Sequence, residues 1–382
     1  MTTRRVVRVA MNGVTGRMGY RQHLVGSILA IRARGGVPLP DGGAIWPEPV
    51  LVGRDASKLS AIAARHGLQE WTTSLSSALA DTEIYFDAQI TSARPAAVRA
   101  AIAAGKHVYA EKPLASSLAE AVELSQLAAA AGLRAGVVQD KLFLPGIIKL
   151  RRLIEGGVLG RVLSVRGEFG YWVFDGSWQP AQRPSWNYRS ELGGGIILDM
   201  FPHWRYLLDH VVAPVRSVYT AGATHVPVRH DESGQRYAAS ADDAAYAIFE
   251  LDGGAVAQVN SSWAVRVYRD ELVEFQVDGT DASAVAGLQE CRFQHRGSTP
   301  RPQWNPDAPA IEDFRSQWQR VPANTEFDGC FLSQWELFLL HVVTGKPYPH
   351  DFLDGARGVQ LAELGLQSWH EGRRLEVPPL SI

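Results

Sequence analysis

The sequence predicts an α/β protein made of two domains, with a boundary near residue 140. The chain has 382 residues, whereas a single hydrophobic core stops growing at about 250–300 residues. Residues 1–140 alternate short β-branched runs with Ala-rich stretches, which is typical of βαβ units around a parallel sheet. Residues 141–382 contain long strands in direct succession, which favours an antiparallel or mixed sheet with helices on one face.

The first domain is predicted to alternate strands and helices. The strands are predicted at Val6–Met11, Pro49–Val52, Ile84–Gln89, His107–Ala110 and Ala135–Val138. The helices are predicted at Tyr20–Arg34, Ala56–Arg65, Ala96–Ala104 and Leu118–Ala131. Ser117 and Glu120 form a capping box for the last helix, and Gly132 is placed to end it. Residues 35–49 are dense in Gly and Pro, so we expect an elaborated surface loop there.

The second domain is predicted to contain longer strands rich in Val, Tyr and Phe. They lie at Val162–Phe169, Val215–His225, Ala244–Leu251, Val256–Trp263 and Leu272–Val277. Helices are predicted at Ile147–Glu155, Phe331–Val343 and Leu353–His370. The turn Asp252-Gly253-Gly254 between two strands indicates a hairpin.

Composition excludes several classes of partner and site. Lys and Arg number 38 against 40 Asp and Glu, a formal charge of −2, so no net charge attracts nucleic acid or an anionic membrane. With only Cys291 and Cys330, we expect no disulfide framework, no Cys-rich zinc site and a reducing compartment. We assign no residue as a metal ligand. Because neither a signal peptide nor an apolar run long enough to span a membrane is visible, we expect a cytoplasmic protein.

A glycine-rich loop follows the first predicted strand and opens the first predicted helix. Gly13, Gly16 and Gly19 have the spacing G-x-x-G-x-x-G. In this context glycines allow a tight turn and close approach of a pyrophosphate, and the helix N-terminus attracts that anion. The sequence therefore predicts a Rossmann dinucleotide-binding domain, with cofactor contacts from Gly13, Thr15, Gly16, Arg17 and Met18.

The end of the second strand decides which dinucleotide is bound. An acidic residue there bonds the ribose 2′-hydroxyl in NAD-selective sites, whereas an arginine accommodates the 2′-phosphate of NADP. This chain has Arg54 followed by Asp55. Asp55 either accepts from the ribose or caps the helix that begins at Ala56. Arg54 either pairs with a 2′-phosphate or lies on the adenine, and its presence favours NADP over NAD.

Two separated motifs resemble those of one enzyme family. Residues 104–114 read A-G-K-H-V-Y-A-E-K-P-L, and residues 193–203 read G-G-G-I-I-L-D-M-F-P-H. They are similar to the A-G-K-H-V-x-x-E-K-P segment, and to the G-G-G, Asp and His pattern, of the glucose-fructose oxidoreductase, inositol dehydrogenase and rhizopine catabolism (Gfo/Idh/MocA) oxidoreductases. The resemblance implies a Rossmann domain over 1–140. It also implies an α/β domain over 141–382, with a large, mostly antiparallel open sheet, that binds substrate and forms a homodimer or homotetramer.

The resemblance also implies an activity. Family members move a hydride between nicotinamide C4 and a carbinol carbon, usually of a sugar or cyclic polyol. We therefore expect an NAD(P)-dependent dehydrogenase or reductase acting on a secondary alcohol or ketone of a sugar, glycoside or cyclic polyol. Lys112, Asp199 and His203 are the implied catalytic set, and Glu111 and Lys112 lie at the cofactor.

The chemistry of the three side chains agrees with those roles. Alcohol oxidation needs a base for the hydroxyl proton, and a histidine such as His203 titrates near neutrality. Lys112 supplies a cation for the developing alkoxide. Asp199, one turn before His203, is placed to orient the imidazole. Taken singly, Lys112 also fits a surface charge, and Asp199 fits an N-cap ahead of Pro202.

Aromatic side chains cluster before the second motif, in residues 171–190, which we call the aromatic loop. Flat apolar rings beside amide and guanidinium donors suit a pyranose or cyclitol. The same composition also suits a subunit contact. The predicted substrate-binding residues of the loop are Trp172, Trp178, Arg183, Trp186, Asn187 and Tyr188, with His203 after them. Trp204 continues the aromatic cluster, while Trp263 and Trp335 are assigned to the core.

Two positions depart from the family pattern. Many relatives carry an aromatic and a basic residue before the proline that opens the second domain, whereas this chain has Lys141 upstream of Pro145. Lys141 either binds substrate hydroxyls or is an exposed lysine. A histidine common after the fourth strand is replaced by Arg94, which puts contacts beside the nicotinamide in question.

Two other functions stay open at this point. A glycoside-cleaving enzyme would oxidise its substrate transiently with a tightly bound NAD, and the aromatic loop would hold the aglycone. A nucleotide-sensing protein would use the same scaffold without turnover. The presence of Lys112, Asp199 and His203 together argues against the sensor.

Overall fold

The computed structural model describes residues 3–266, 271–299, 307, 314–327 and 329–381. The chain divides into two compact units. Unit 1 comprises Met1–Phe143, Phe327–Gln360 and Pro379–Ile382, and unit 2 comprises Leu144–Glu326 and Leu361–Pro378. Unit 1 therefore includes two C-terminal segments that the sequence analysis assigned to the second domain.

The helices are α1 (Ala30–Ala33), α2 (Ala56–His66), α3 (Leu75–Ala80), α4 (Arg94–Ala103), α5 (Leu118–Ala130), α6 (Pro145–Glu155), α7 (Ile196–Val211), α8 (Cys330–Thr344) and α9 (Phe352–Glu371). All seven predicted helices are present, with ends within a few residues of those predicted, whereas α3 and α7 were not predicted. A π-helix, Met18–Leu29, leads into α1. The predicted cap of α5 is present, because the Ser117 hydroxyl accepts from the Glu120 amide. Within the described residues no helix is long and apolar enough to cross a membrane.

Unit 1 is built on a mostly parallel sheet. Its strands are β1 (Arg4–Asn12), β2 (Val37–Pro38), β3 (Ala44–Val52), β4 (Trp71–Thr72), β5 (Ile84–Asp87), β6 (His107–Ala110) and β7 (Ala135–Val137). The strand order is β2-β3-β1-β5-β6-β7, with β4 beside β3, and only β2 runs antiparallel to its neighbour. Because β3 and β5 lie on opposite sides of β1, the strand order reverses there, which opens a crevice at the carboxyl ends of the strands.

The expected loop over residues 35–49 is wrong in its second half, which is strand β3. Pro47 and Pro49 pair in register with Val7 and Val9 of β1. On the other side of β3, β2 and β4 pair only with its two ends. Both prolines therefore stand where a missing N–H removes no ladder hydrogen bond.

Unit 2 is built on a nine-stranded sheet and a separate hairpin. The strands are β8 (Val162–Phe169), β9 (Val215–Ala223), β10 (Val228–His230), β11 (Arg236–Ala238), β12 (Ala244–Leu251), β13 (Val256–Ser262), β14 (Val273–Gly279), β15 (Ala282–Ala286), β16 (Cys291–His295), β17 (Gln319–Arg320) and β18 (Leu375–Glu376). The sheet has the order β17-β16-β15-β14-β8-β13-β12-β9-β18, and only β8 and β13 pair in parallel. The predicted large, mostly antiparallel sheet is confirmed.

Helices α6 and α7 pack against one face of this sheet. Side chains alternate accordingly along β12, where Ala247 and Phe249 are buried while Tyr246 and Ile248 are exposed. The outward face thus presents apolar side chains.

Candidate active site

The glycine loop has the geometry that its sequence predicts. Gly13 follows β1 with φ +87°, and an added Cβ would lie 2.6 Å from the backbone of Ala88, just beyond β5. Only glycine fits this turn without strain. Thr15, Gly16 and Arg17 are exposed at the start of the helix that begins at Met18. The exposed loop tip therefore faces outward at a helix N-terminus, as a phosphate site requires.

A cleft of about 350 Å³ opens at the carboxyl ends of the central strands of unit 1. It is lined by the end of β1 (Asn12), by Arg54 after β3 and by Gln89 after β5. This is the crevice where open α/β sheets bind their ligands. The residues present fit an adenosine dinucleotide.

Arg54 and Asp55 have separate surroundings. Asp55 caps α2, accepting from the Lys58 amide at 3.0 Å and from the Ser57 hydroxyl at 2.7 Å. The Lys58 amide and then the Ser57 hydroxyl lower the pKa of Asp55. Arg54 is exposed, and within the described part of the chain it makes no hydrogen bond or ion pair. A second cleft, of about 220 Å³, lies between Thr15 and the basic side chains of Lys58 and Arg65.

Glu111, Lys112 and Pro113 follow β6 at the same edge of the sheet. The Lys112–Pro113 peptide bond is cis, and Lys112 is half-buried. Glu111 is buried, and its two carboxylate oxygens are engaged. Oε1 lies 2.8 Å from Nε2 of His23, and Oε2 accepts from the Lys112 amide at 3.0 Å. Although burial raises the pKa of Glu111, the hydrogen bond with His23 and the charge of Lys112 outweigh it and lower that pKa.

Sequence reasoning did not single out His23, and it assigned Trp335 to the core alone. Trp335 donates from Nε1 to Nδ1 of His23 at 3.0 Å, although the two residues are 312 positions apart. Both side chains are fully buried. No local signal in the sequence predicts this pair, because it depends on how α8 packs against the first helix of the chain.

Arg94 supports the same segment from another side. It is buried, and its Nε lies 3.0 Å from a carboxylate oxygen of Asp87. It also donates to the backbone carbonyls of Pro113 and Gln89. After β5, this chain therefore has an arginine that braces the backbone beside Lys112.

The start of α7 depends on a glycine and on a carboxylate from another part of unit 2. Gly195 has φ +130°, and an added Cβ would overlap a carboxylate oxygen of Asp242. Asp242 accepts from the Ile197 amide at 2.7 Å and so caps the helix. The N-cap alternative for Asp199 is therefore wrong, because the helix has already begun at Ile196 and Pro202 lies inside it.

Asp199 and His203 project from the first two turns of α7. Asp199 is ion-paired with Arg183 of the aromatic loop, at 2.8 Å. The Arg183 guanidinium lies over the rings of Phe174 and Trp263, at 5.1 and 4.8 Å from their centroids. Nδ1 of His203 lies 2.6 Å from the Tyr206 hydroxyl. The i, i+3 spacing of His203 and Tyr206 is a signal that sequence reasoning missed.

The aromatic loop exposes some of its rings and buries others. Trp172, Trp178 and Trp186 are exposed, Trp178 to 71%. Asn187 and Tyr188, which we expected to bind substrate, are buried. Their side chains donate to the backbone carbonyls of Pro184 and Phe174, so they shape the loop from inside. Trp204, Trp263 and Trp335 are fully buried.

Trp172 and Trp178 flank an open cleft of about 360 Å³. Its polar lining is Asp175, which pairs with Arg266 and accepts from the Ser177 hydroxyl. The cleft combines flat apolar surfaces with a carboxylate and a guanidinium.

Lys141 is not an exposed lysine. It lies on a short turn, Asp140–Phe143, with its side chain mostly buried and its ammonium 3.5 Å from Asp140. Lys112 and Lys141 belong to unit 1, and Asp199, His203 and the aromatic loop belong to unit 2.

Comparison with protein families matches both parts of the chain. Residues 7–139 match the oxidoreductase family with an NAD-binding Rossmann fold. Residues 147–285 match the GFO/IDH/MocA C-terminal domain.

Two curated relatives are sugar enzymes. The chain is 57% identical over 388 residues to D-xylose dehydrogenase of Paenarthrobacter nicotinovorans, with 100% of both chains covered. It is 27% identical over 265 residues to levoglucosan dehydrogenase of Pseudarthrobacter phenanthrenivorans, covering 63% of this chain and 66% of the relative.

Solved structures support the same fold. Levoglucosan dehydrogenase in complex with NADH and levoglucosan superposes with a TM-score of 0.80 at 20% identity, over 98% of this chain and 100% of that one. The apo form of the same enzyme superposes with a TM-score of 0.82 at 19% identity, over 100% of this chain and 100% of that one. The predicted fold class and the expected NAD(P)-dependent oxidoreductase are thus confirmed. With a relative 57% identical along its whole length and family matches on both domains, the chain belongs to the Gfo/Idh/MocA family of oxidoreductases.

Proposed function

We propose that the protein is a sugar dehydrogenase whose substrate is an aldopentose such as D-xylose. The observation that carries this proposal is the 57% identity, over the full length of both chains, to a D-xylose dehydrogenase. The exposed tryptophans of the aromatic loop support a sugar, because flat rings cover the apolar C–H face of a pyranose. A formal charge of −2 agrees with a neutral substrate.

Lys112, Asp199 and His203 carry the acid-base chemistry in this proposal. His203 accepts the proton of the reacting hydroxyl, and the Tyr206 hydroxyl at its Nδ1 sets the rotation of the imidazole. The Lys112 ammonium stabilises the negative charge that develops on the substrate oxygen. Asp199, ion-paired with Arg183, orients the imidazole of His203 one turn further along α7. We expect Lys112→Met to abolish nearly all turnover, because methionine carries no charge to stabilise the substrate oxygen.

The cofactor site of this proposal uses the glycine loop and the cleft at the sheet edge. Gly13, Thr15, Gly16, Arg17 and Met18 hold the pyrophosphate, and the cleft beside Arg54 takes the adenosine. When bound, NAD(P) would supply the acceptor for the hydride of the carbinol carbon. Glu111 acts on Lys112 rather than on the cofactor, because its two oxygens are engaged by His23 and by the Lys112 amide.

We further propose that the enzyme uses NADP, and that Arg54 contacts its 2′-phosphate. Asp55 is occupied as the cap of α2, so it is poorly placed to select the ribose of NAD. Lys58 and Arg65 add positive charge near the glycine loop. Arg54→Ser should raise KM for NADP at least about tenfold and leave KM for NAD within twofold, since only one of the two carries the 2′-phosphate. An unchanged ratio of the KM for NADP to the KM for NAD would contradict the assignment of Arg54 to the 2′-phosphate.

Substrate specificity is assigned to three exposed tryptophans of the aromatic loop, to the partly buried Arg183 and to Lys141. Trp172, Trp178, Trp186 and Arg183 are the loop residues proposed to contact the sugar. Lys141, with its ammonium beside Asp140, is proposed to bind a substrate hydroxyl.

The function is tested with the purified full-length chain. NAD or NADP is added with D-xylose, other aldopentoses, aldohexoses, levoglucosan and inositols, and reduced nicotinamide is followed by absorbance. The expected result is turnover with highest kcat/KM for an aldopentose. Nucleotide binding without turnover of any of these substrates would overturn the proposal.

The tryptophan cleft favours one second function, cleavage of a glycoside through transient oxidation. Trp172 and Trp178 flank about 360 Å³, which offers an apolar surface for an aglycone. This function would give free aglycone from an aryl xyloside without accumulation of reduced nicotinamide. A simple dehydrogenase would accumulate reduced nicotinamide and release no aglycone.

We also propose a cytoplasmic homodimer or homotetramer. The two cysteines are unpaired, which agrees with a reducing compartment. The exposed side chains of Tyr219, Tyr246 and Ile248 lie on one face of the large sheet, and an apolar sheet face of this kind suits a subunit contact.

A further inference from the structure

A buried chain of hydrogen bonds leads from the C-terminal part of unit 1 to Lys112. Trp335 Nε1 lies 3.0 Å from Nδ1 of His23, and Nε2 of His23 lies 2.8 Å from Oε1 of Glu111. The other oxygen of Glu111 accepts from the Lys112 amide at 3.0 Å. All four residues belong to unit 1.

The direction of these bonds is fixed by their chemistry. An indole N–H only donates, so Nδ1 of His23 must accept from Trp335. The proton of the neutral imidazole therefore resides on Nε2 and is donated to Glu111. Glu111 accepts at both oxygens, which suits the carboxylate rather than the acid. One tryptophan thus determines the tautomer of His23 and the side of the ring that meets Glu111.

The surroundings make this arrangement rigid. His23 is fully buried, with the rings of Phe86 and Phe331 at 4.4 and 5.1 Å from its own centroid. Buried hydrogen bonds of this kind are strong, because water cannot replace a lost partner. Glu111 therefore has one position, and the backbone amide that it holds is that of Lys112.

A second buried group holds the other end of the segment. Arg94, paired with the fully buried Asp87, donates to the carbonyl of Pro113. The backbone on both sides of Lys112 is thus tied to buried charged residues. Such bracing is more than a surface lysine needs, and it suits a side chain that must be aimed within a fraction of an ångström.

We propose that Trp335, His23 and Glu111 form a positioning relay that orients Lys112 for the chemical step. The inference rests on the proposed role of Lys112 in catalysis. The relay residues act through Lys112 and do not themselves touch the substrate. Trp335 ties α8 into the relay, so a segment far along the chain from the glycine loop contributes to turnover.

The test compares two substitutions of His23 in the full-length enzyme. His23→Leu removes both hydrogen bonds and keeps an apolar side chain, and kcat should fall about 10- to 100-fold, as for misplaced catalytic groups. The Kd for the reduced nucleotide and the KM for the sugar should stay within threefold. His23→Gln offers one donor and one acceptor, so it should recover most of kcat. A merely structural role would lower the melting temperature without this split between kcat and KM.

Tyr109→Phe is the matched control, because Tyr109 is buried in the same core and bonds Gln334 rather than Glu111. It should lower the melting temperature and leave kcat within twofold. The relay is overturned if folded His23→Leu keeps kcat within twofold of wild type. It is also overturned if kcat falls as far in Tyr109→Phe as in His23→Leu. Lys112→Met separates the two proposals. Retained turnover in that variant contradicts the proposed role of Lys112 and, with it, the relay. An inactive Lys112→Met with a fully active His23→Leu contradicts only the relay, and a wild-type enzyme that turns over no sugar contradicts the proposed function.

Discussion

Arg183 connects the aromatic loop to the residues of α7. Its guanidinium pairs with Asp199 at 2.8 Å and lies over two aromatic rings, Phe174 and Trp263. Planar stacking combined with an ion pair is a geometry that arginine provides and lysine does not. A change at Arg183 therefore acts on the position of Asp199 and on the loop together.

We expect Arg183→Met to lower kcat/KM for the sugar roughly tenfold or more, because Asp199 loses the cation that orients it. Arg183→Lys should recover only part of this loss, since it keeps the charge without the planar fork. Steady-state kinetics measure the effect. Arg189→Met is the matched control. Arg189 belongs to the same loop, and its guanidinium lies over an aromatic ring, 4.3 Å from the centroid of Tyr237. Equal losses in both variants would argue against a specific role of the Asp199 pair.

Gly13 gives a second prediction at the scale of one residue. Gly13→Ala places a Cβ 2.6 Å from the Ala88 backbone at φ +87°. We expect the Kd for NAD(P)H to rise at least about tenfold, because the loop must shift, with a stability loss of about 1–3 kcal/mol. Gly35→Ala is the control, since Gly35 has φ +96° and nothing within 4 Å of an added Cβ. That variant should lose stability and keep its nucleotide affinity, as measured by fluorescence titration.

At the scale of elements, α7 is the helix that presents Asp199 and His203. Asp242 caps it through the Ile197 amide. Burial raises the pKa of Asp242 to about 6, although the Ile197 amide acts in the opposite direction. An acid whose pKa is higher in the folded state stabilises the fold below its unfolded pKa and loses this contribution as the pH rises through the folded pKa.

Asp242→Asn should therefore stabilise the protein relative to wild type at high pH and not at low pH. Asparagine still accepts from the Ile197 amide but has no charge to bury. The difference in the free energy of unfolding should grow by up to about 3 kcal/mol between roughly pH 4 and pH 7. Urea denaturation at several pH values measures it.

Asp231→Asn is the control of opposite sign. Hydrogen bonds from Ser233 and then Gln235 lower the pKa of Asp231. That variant should lose stability near neutral pH and lose none in acid. A difference for Asp242→Asn that does not change with pH would contradict the assigned protonation of Asp242.

At the scale of the whole molecule, the outward face of the large sheet supports a subunit contact. Tyr219 and Ile248 are directly opposite each other on β9 and β12, and Tyr246 is two residues before Ile248 on the same face. All three are exposed. Contiguous apolar side chains on a sheet face are typical of interaction surfaces.

We expect Ile248→Glu to convert the oligomer to a smaller species, because a charge buried without a partner in an apolar interface is costly. Size-exclusion chromatography with light scattering measures the mass. Val228→Glu is the control, since Val228 is equally apolar and exposed but lies on the separate hairpin. A wild-type chain that is monomeric at all concentrations would contradict the proposed oligomer.

Most of the regular structure followed from local patterns. Strands β6, β8 and β12 coincide with the predicted ranges, because alternation and β-branched runs mark strands that are buried on one or both faces. Strand β3 was predicted only over its last part, Pro49–Val52, because proline normally interrupts a strand and Pro47 precedes that range. The pairing of β3 with its neighbours shows that the missing amides of Pro47 and Pro49 remove no ladder hydrogen bond. Strands β17 and β18 have only two residues each, which is too few for a periodic signal.

The sequence by itself determined the two-domain α/β architecture, the glycine loop after β1 and the motif residues Lys112, Asp199 and His203. These rest on spacing within short segments, where period and turn chemistry are encoded locally. Only the tertiary structure decided that Trp335 sets the tautomer of His23, that Arg94 braces Pro113 and that Asp242 caps α7. Each of these contacts joins residues far apart in sequence, and a buried polar group finds its partner only when the chain has packed.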